Sequence, residues 1–134
     1  MSLIPKSTFN GNWKIKIDMK HNQSDYDSLR EKYKEFFKMG FGFECGPGWY
    51  KIIEKLTEDI NAIVQREKLE CCYATQIKEK YGTLRYYLST ETDEMSDLIL
   101  EAEDESEQTC EVCGNPGEMT KDKWWLKVRC NECE

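Results

Sequence analysis

Cys110-Glu111-Val112-Cys113 and Cys130-Asn131-Glu132-Cys133 are two Cys-x-x-Cys pairs with 16 residues between them. That spacing fits the C-x2-C-x15–20-C-x2-C pattern of a structural zinc site. Four thiolates close a tetrahedron around zinc and leave no open position for a water, so such a site holds a fold rather than performing hydrolysis. The competing chemistries are a redox dithiol and an iron–sulfur cluster. Redox Cys-x-x-Cys motifs usually occur singly at a helix start, whereas here there are two, the second in the last five residues. Gly114 and Gly117 suit the tight turns of a zinc knuckle. One structural zinc per chain, on Cys110, Cys113, Cys130 and Cys133, is the expectation.

The other residues capable of chemistry form weaker constellations. Cys45 precedes a predicted helix, where the dipole can lower a thiol pKa, but a nucleophile also needs a base. The single histidine, His21, lies beside a loop far away in sequence. Gly40-Phe41-Gly42-Phe43-Glu44-Cys45-Gly46 is one residue too long for a dinucleotide fingerprint and follows a helix pattern instead of a strand. The vicinal Cys71-Cys72 reads as small apolar side chains. No catalytic residues and no small-molecule substrate emerge, and the chain is expected not to be an enzyme.

Two features suit binding instead. Trp124-Trp125 approaches the second knuckle, and neighbouring strand residues face opposite ways. One tryptophan can cover the knuckle; the other either docks on the rest of the chain or anchors a partner. Base stacking assisted by Lys121, Lys123, Lys127 and Arg129 is a third use. The second feature is the acidic run Glu101, Glu103, Asp104, Glu105 and Glu107, which is either a solvated face or a surface for a basic partner.

These sites must be positioned by a small body. Trp13, Ile15, Ile17 and Met19 alternate with charges, which predicts a half-buried strand. Ser24 reads as an N-cap, followed by a helix with Tyr26, Leu29, Tyr33, Phe36 and Phe37 as its stripe and Gly40 as its stop. Residues 41–48 form a glycine-rich connector, with Pro47 suited to the first turn of the next helix. That helix carries the longest apolar stripe, Trp49, Ile52, Ile53, Leu56, Ile60, Ile63 and Val64, and is the predicted core. Residues 73–80 and 83–89 read as strands around Tyr81-Gly82. Thr92 caps a third helix with Met95, Leu98, Ile99 and Ala102 inward.

This third helix carries an unusual charge. Asp93–Asp97, Asp97–Glu101, Glu101–Glu105 and Glu103–Glu107 are like-charge pairs four apart, and the acids at its C-terminal end oppose the dipole. Together these are unfavourable by about 1–3 kcal/mol at low salt. Helix stability gives no reason for them.

The net charge of −7 is unevenly spread: +3 over residues 1–90, −9 over 91–107 and −1 over 108–134. A zinc tetrathiolate would add a further −2. Such a balance disfavours general nucleic-acid binding, although a local basic face on the body remains open. No apolar run is long enough to span a bilayer, and the first residues lack a secretion-signal layout. Seven cysteines, an odd number, in this setting point to thiols in a reducing cytoplasm.

Three stretches together resemble a known group. Phe43-Glu44-Cys45-Gly46-Pro47-Gly48-Trp49-Tyr50, then Gln76-Ile77-Lys78-Glu79-Lys80-Tyr81-Gly82-Thr83-Leu84-Arg85-Tyr86-Tyr87, then Cys110-Glu111-Val112-Cys113-Gly114-Asn115-Pro116-Gly117 are similar, in this order, to small uncharacterised proteins of bacteriophages and prophages with a C-terminal zinc-binding cysteine motif. The resemblance covers residues 41–134. It implies the same zinc ligands and a phage gene product acting in the cytoplasm of a bacterial host, and it implies no catalytic residue.

The expectation is an α+β protein: a small antiparallel sheet packed with about three helices over residues 1–107, and a zinc ribbon over 108–134. Its expected role is non-enzymatic binding of a protein, such as a basic or nucleic-acid-binding host protein of a defence system. The expected contacts are Trp124, Trp125, Glu101, Glu103, Asp104, Glu105 and Glu107. The alternative is a nucleic-acid-binding accessory protein that uses the ribbon.

Overall fold

The computed structural model describes residues 25–120 and 126–133. The predicted strand over residues 13–20, the Ser24 cap, His21, Trp124 and Trp125 lie outside the described residues.

Helix α1 covers residues 25–32 and continues as a run of turns to residue 39. Its stripe behaves as the spacing predicts, with Tyr26, Leu29, Phe36 and Phe37 all buried. Gly40 ends the segment at φ +72°, a left-handed conformation that glycine adopts without a Cβ penalty. The chain then runs through strand β1 (Phe43–Glu44) and a 3-10 turn (Pro47–Trp49) into helix α2 (Tyr50–Glu67). α2 buries Ile52, Ile53, Leu56, Thr57, Ile60 and Ile63, with Trp49 fully buried just ahead of it.

Strands β2 (Ala74–Lys80) and β3 (Thr83–Leu88) form the predicted hairpin. Tyr81 and Gly82 both take positive φ, 54° and 82°, as the two-residue type I′ turn requires. The Gly82 N–H donates to the Glu79 carboxylate at 2.8 Å. The ladder pairs Ile77 with Tyr86 and Lys78 with Arg85, so alternation turns Ile77 and Tyr86 inward and the two cations outward. Inside, the Tyr86 and Thr57 hydroxyls meet at 2.7 Å and fix α2 against the sheet.

The sheet is mixed rather than purely antiparallel, because β1 pairs with β2 in parallel, Phe43 opposite Ile77. The glycine-rich stretch expected to be only a connector therefore contains an edge strand. Two residues are too few to show an alternating pattern. Packing places them: Tyr26 stacks on Phe43 with ring centroids 4.5 Å apart, and Phe37 meets the same ring at 5.5 Å.

Helix α3 (Asp93–Ser106) starts where expected, with the Thr92 hydroxyl accepting the Met95 N–H at 3.2 Å. Met95, Ile99, Ala102 and Ser106 are buried against α2 and β3. Ser106 joins the layers. Its hydroxyl donates to the Glu103 carbonyl at 2.6 Å and accepts the Leu84 N–H at 3.0 Å. Strands β4 (Glu118–Met119) and β5 (Val128–Arg129) complete the chain as a small antiparallel ribbon. The architecture is α+β: three helices, a small mixed sheet and a C-terminal four-cysteine ribbon among the described residues. None of these helices is long and apolar enough to cross a membrane.

Candidate metal centre

Each Cys-x-x-Cys pair is shaped by its own backbone. In the first, the Cys110 N–H donates to the Asn115 carbonyl at 2.7 Å and the Gly114 N–H donates back to the Cys110 carbonyl at 2.9 Å. Gly114 sits at φ +85°, a turn conformation that a side chain would strain. In the second, the Cys133 N–H reaches the Cys130 carbonyl at 3.2 Å. The β4–β5 ribbon places the two turns face to face, Met119 opposite Val128.

The result is one cluster. The sulfur atoms of Cys110, Cys113, Cys130 and Cys133 all lie within 4.8 Å of one another, with Cys113 and Cys130 at 3.5 Å. A tetrahedron of metal–sulfur bonds of about 2.3 Å has edges of about 3.8 Å, so the four thiols suit a single ion. Cys110 is buried, Cys130 and Cys133 are half-buried and Cys113 is exposed. Burial raises the Cys110 thiol, but hydrogen bonds from the backbone of Cys113, Cys130 and Val112 outweigh it and bring the thiol down to about 7. Burial and the crowding of neighbouring sulfurs hold Cys113 and Cys133 above the ordinary thiol range. One thiolate thus forms readily and resists the next. A bound cation removes that conflict, because metal ligation requires deprotonated sulfur.

The knuckle rests on the body through Glu111, the residue after its first cysteine. The Glu111 carbonyl accepts the Gly48 N–H at 2.6 Å and its carboxylate accepts the Gly46 N–H at 2.7 Å. The other carboxylate oxygen faces the Arg129 guanidinium of β5 at 3.5 Å. Next to this contact the Trp49 indole N–H donates to the Thr109 carbonyl at 2.9 Å. A Cβ on Gly48 would run into the Cys110 carbonyl and come within 2.6 Å of the Gly114 nitrogen, so only glycine admits the knuckle this closely. The signal that points to this contact is a Gly-Pro-Gly-Trp corner opening a long helix with no Ser, Thr, Asp or Asn to cap it. Neither the 3-10 turn nor α2 has a side-chain cap of its own.

Elsewhere, the thiols of Cys45 and Cys72 are unsuited to nucleophilic chemistry. Burial pushes Cys45 up to about 12, with the Tyr26 hydroxyl 3.6 Å away and itself donating to the Gly46 carbonyl. Cys72 is buried and also raised by burial, and its sulfur lies 3.4 Å from the Thr90 carbonyl. Of the predicted contact residues, Glu101, Asp104, Glu105 and Glu107 are exposed on α3 or at its end, while Glu103 is half-buried. Of these, Glu105 lines a surface pocket together with Gly48, Thr109 and Cys113.

No family model matches the chain, and no curated protein or solved structure matches it either.

Proposed function

We propose that the protein is a non-enzymatic binding factor in which one structural zinc fixes the ribbon to an α+β body, and the acidic face of α3 receives a basic partner protein. Zinc is the ion favoured by four thiolates in a closed tetrahedron. The observation that carries the reading is the state of α3. Asp97, Glu101, Asp104 and Glu105 all face solvent, yet among the described residues Glu94 alone in the helix has an ion-pair partner, Arg66 at 2.6 Å. Asp93, Asp97, Leu100, Asp104 and Glu107 fall in one stripe at helical spacing, with Leu100 58% exposed in its middle. An apolar side chain framed by unpaired carboxylates suits a basic, amphipathic surface. The resemblance to phage proteins supplies the setting: a phage factor acting on a host protein, such as a nuclease of a defence system whose nucleic-acid site expects phosphate charge.

The test is affinity capture from bacterial lysate, with and without nuclease treatment, read by mass spectrometry. A protein retained stoichiometrically after nuclease treatment, and lost with an Asp97→Lys/Asp104→Lys variant, is the expected outcome. Capture that disappears with nuclease, or that survives the charge reversal, overturns the assignment of α3 as the contact.

A further inference from the structure

The body carries a cluster of cations that neither the metal centre nor α3 uses. On the hairpin, Lys78 stands directly opposite Arg85. Like charges in that position destabilise an antiparallel pair. Among the described residues neither has an ion pair, and the Arg85 Nε is buried without a hydrogen-bond partner. Two carboxylates approach but do not neutralise them. Glu44, opposite Lys78 on β1, accepts from the Gln76 amide at 3.2 Å. Glu103 is influenced by Arg85, but burial dominates and holds its carboxyl above the ordinary range.

Aromatic rings border the same outer face. Tyr87, two residues beyond Arg85 and hence on the same side of β3, is 39% exposed. Tyr73 leads into β2 with the Lys38 ammonium 4.6 Å from its ring centroid. At the hairpin end, Lys80 continues the row from Lys78 and lies 5.6 Å over the exposed Tyr81 ring. The inner face is occupied by α2 through the Thr57–Tyr86 contact, so this outer face is a separate surface.

We propose that this outer sheet face binds single-stranded nucleic acid, with Lys78 and Arg85 on a phosphate and Tyr87 stacked on a base. An unneutralised cation pair fits a phosphate, and an exposed tyrosine ring fits a base of any identity. Stacking requires a base with a free face, which a single strand offers and a duplex does not. This surface does not involve the acidic face of α3, so either assignment stands or fails without the other.

The experiment uses the full-length, zinc-loaded chain titrated against fluorescein-labelled oligo(dT) and oligo(rU) of about 12 nucleotides, followed by anisotropy. Binding at low salt is expected, with log affinity falling against log salt at a slope of about −0.7 to −1.4, as neutralising one phosphate with Lys78 and Arg85, or a second with Lys80, requires of a single strand. Tyr87→Ala is expected to weaken binding about tenfold, and Tyr87→Phe to leave it in place. Lys78→Gln with Arg85→Gln is expected to weaken binding and flatten the salt slope. Lys51→Gln with Lys55→Gln, the same charge change on α2, leaves both unaltered. Tyr87 is exposed, so its variant remains informative even if the paired variant fails to fold. Absence of binding at low salt, equal affinity for a duplex, displacement by polyglutamate at matched charge, or indifference to Tyr87→Ala overturns the proposal.

Discussion

The carboxylate of Glu111 accepts the N–H of Gly46, 65 residues earlier in the chain, at 2.7 Å, and so caps the 3-10 turn that leads into α2. A helix start leaves backbone N–H groups without intrahelical partners, and a side chain immediately before the helix ordinarily satisfies one of them. Here the 3-10 turn ahead of α2 is preceded by Gly46, which has no side chain to accept a hydrogen bond, and the anion comes from the four-cysteine knuckle. The ribbon therefore supplies the acceptor for the turn from which the core helix continues. Its negative charge also lies at the positive end of the helix dipole.

Replacing that cap should be measurable. Glu111→Ala removes the carboxylate while leaving the carbonyl that receives Gly48, and should lower stability by about 1–2 kcal/mol. Glu111→Gln keeps an acceptor without the charge and should fall between. Urea midpoints compare the three, and faster exchange of the Gly46 amide in the alanine variant locates the loss. Equal midpoints would show that the contact contributes nothing.

Gly48→Ala should be worse than its small size suggests. The added methyl meets the knuckle backbone, which must shift, so a loss of about 1–3 kcal/mol and weaker metal binding are expected. Gly42→Ala is the control, because nothing lies within 4 Å of its added Cβ. Thermal melts of both variants with metal bound decide the matter.

Ser106→Ala tests the joint between α3 and the sheet. It leaves the buried Leu84 N–H without its 3.0 Å acceptor and should reduce stability by about 1–3 kcal/mol. Equilibrium unfolding in urea gives the value. A loss below the range would mean that water replaces the hydroxyl.

Metal removal should separate two levels of order. Elemental analysis is expected to give one zinc per chain, reduced to trace by Cys110→Ser. Chelation should disorder the ribbon while most of the body's helical circular dichroism persists, because α2 retains its own buried stripe. Amide exchange at Gly46 and Gly48 should rise in the same experiment. The metal's hold should also depend on pH. Cys110 lies near 7, while Cys113 and Cys133 lie above the ordinary thiol range and are protonated at neutral pH in the metal-free chain. Binding must then release protons, and affinity should fall as the solution is acidified, which calorimetry in buffers of different ionisation enthalpy measures.

Periodicity made the body legible. The α2 stripe, the α3 stripe with its Thr92 cap, and the hairpin around Tyr81-Gly82 all follow from patterns several residues long, in which each position repeats the same message. Cys110, Cys113, Cys130 and Cys133 were legible for a different reason: a ligand set is a matter of residue type and spacing, which folding only brings together. Strand β1 was hidden because its two residues have no period and are placed by Tyr26 and Phe37. Glu111 was hidden because a cap supplied from another part of the chain leaves no mark beside the helix it serves. The only local trace is negative, a long amphipathic helix opened by glycines and proline.

The separation between Gly46 and Glu111 also has a meaning in time. At a synthesis rate of about 5–20 residues per second, Glu111 is added about 3–13 s after Gly46. Throughout that interval the turn ahead of α2 lacks the acceptor for its Gly46 N–H, and Trp49 lacks the carbonyl its indole will bind. The body can collapse early, but its central helix is completed only when the knuckle is made and folded onto it. The four-cysteine knuckle thus sets when the middle of the chain is finished.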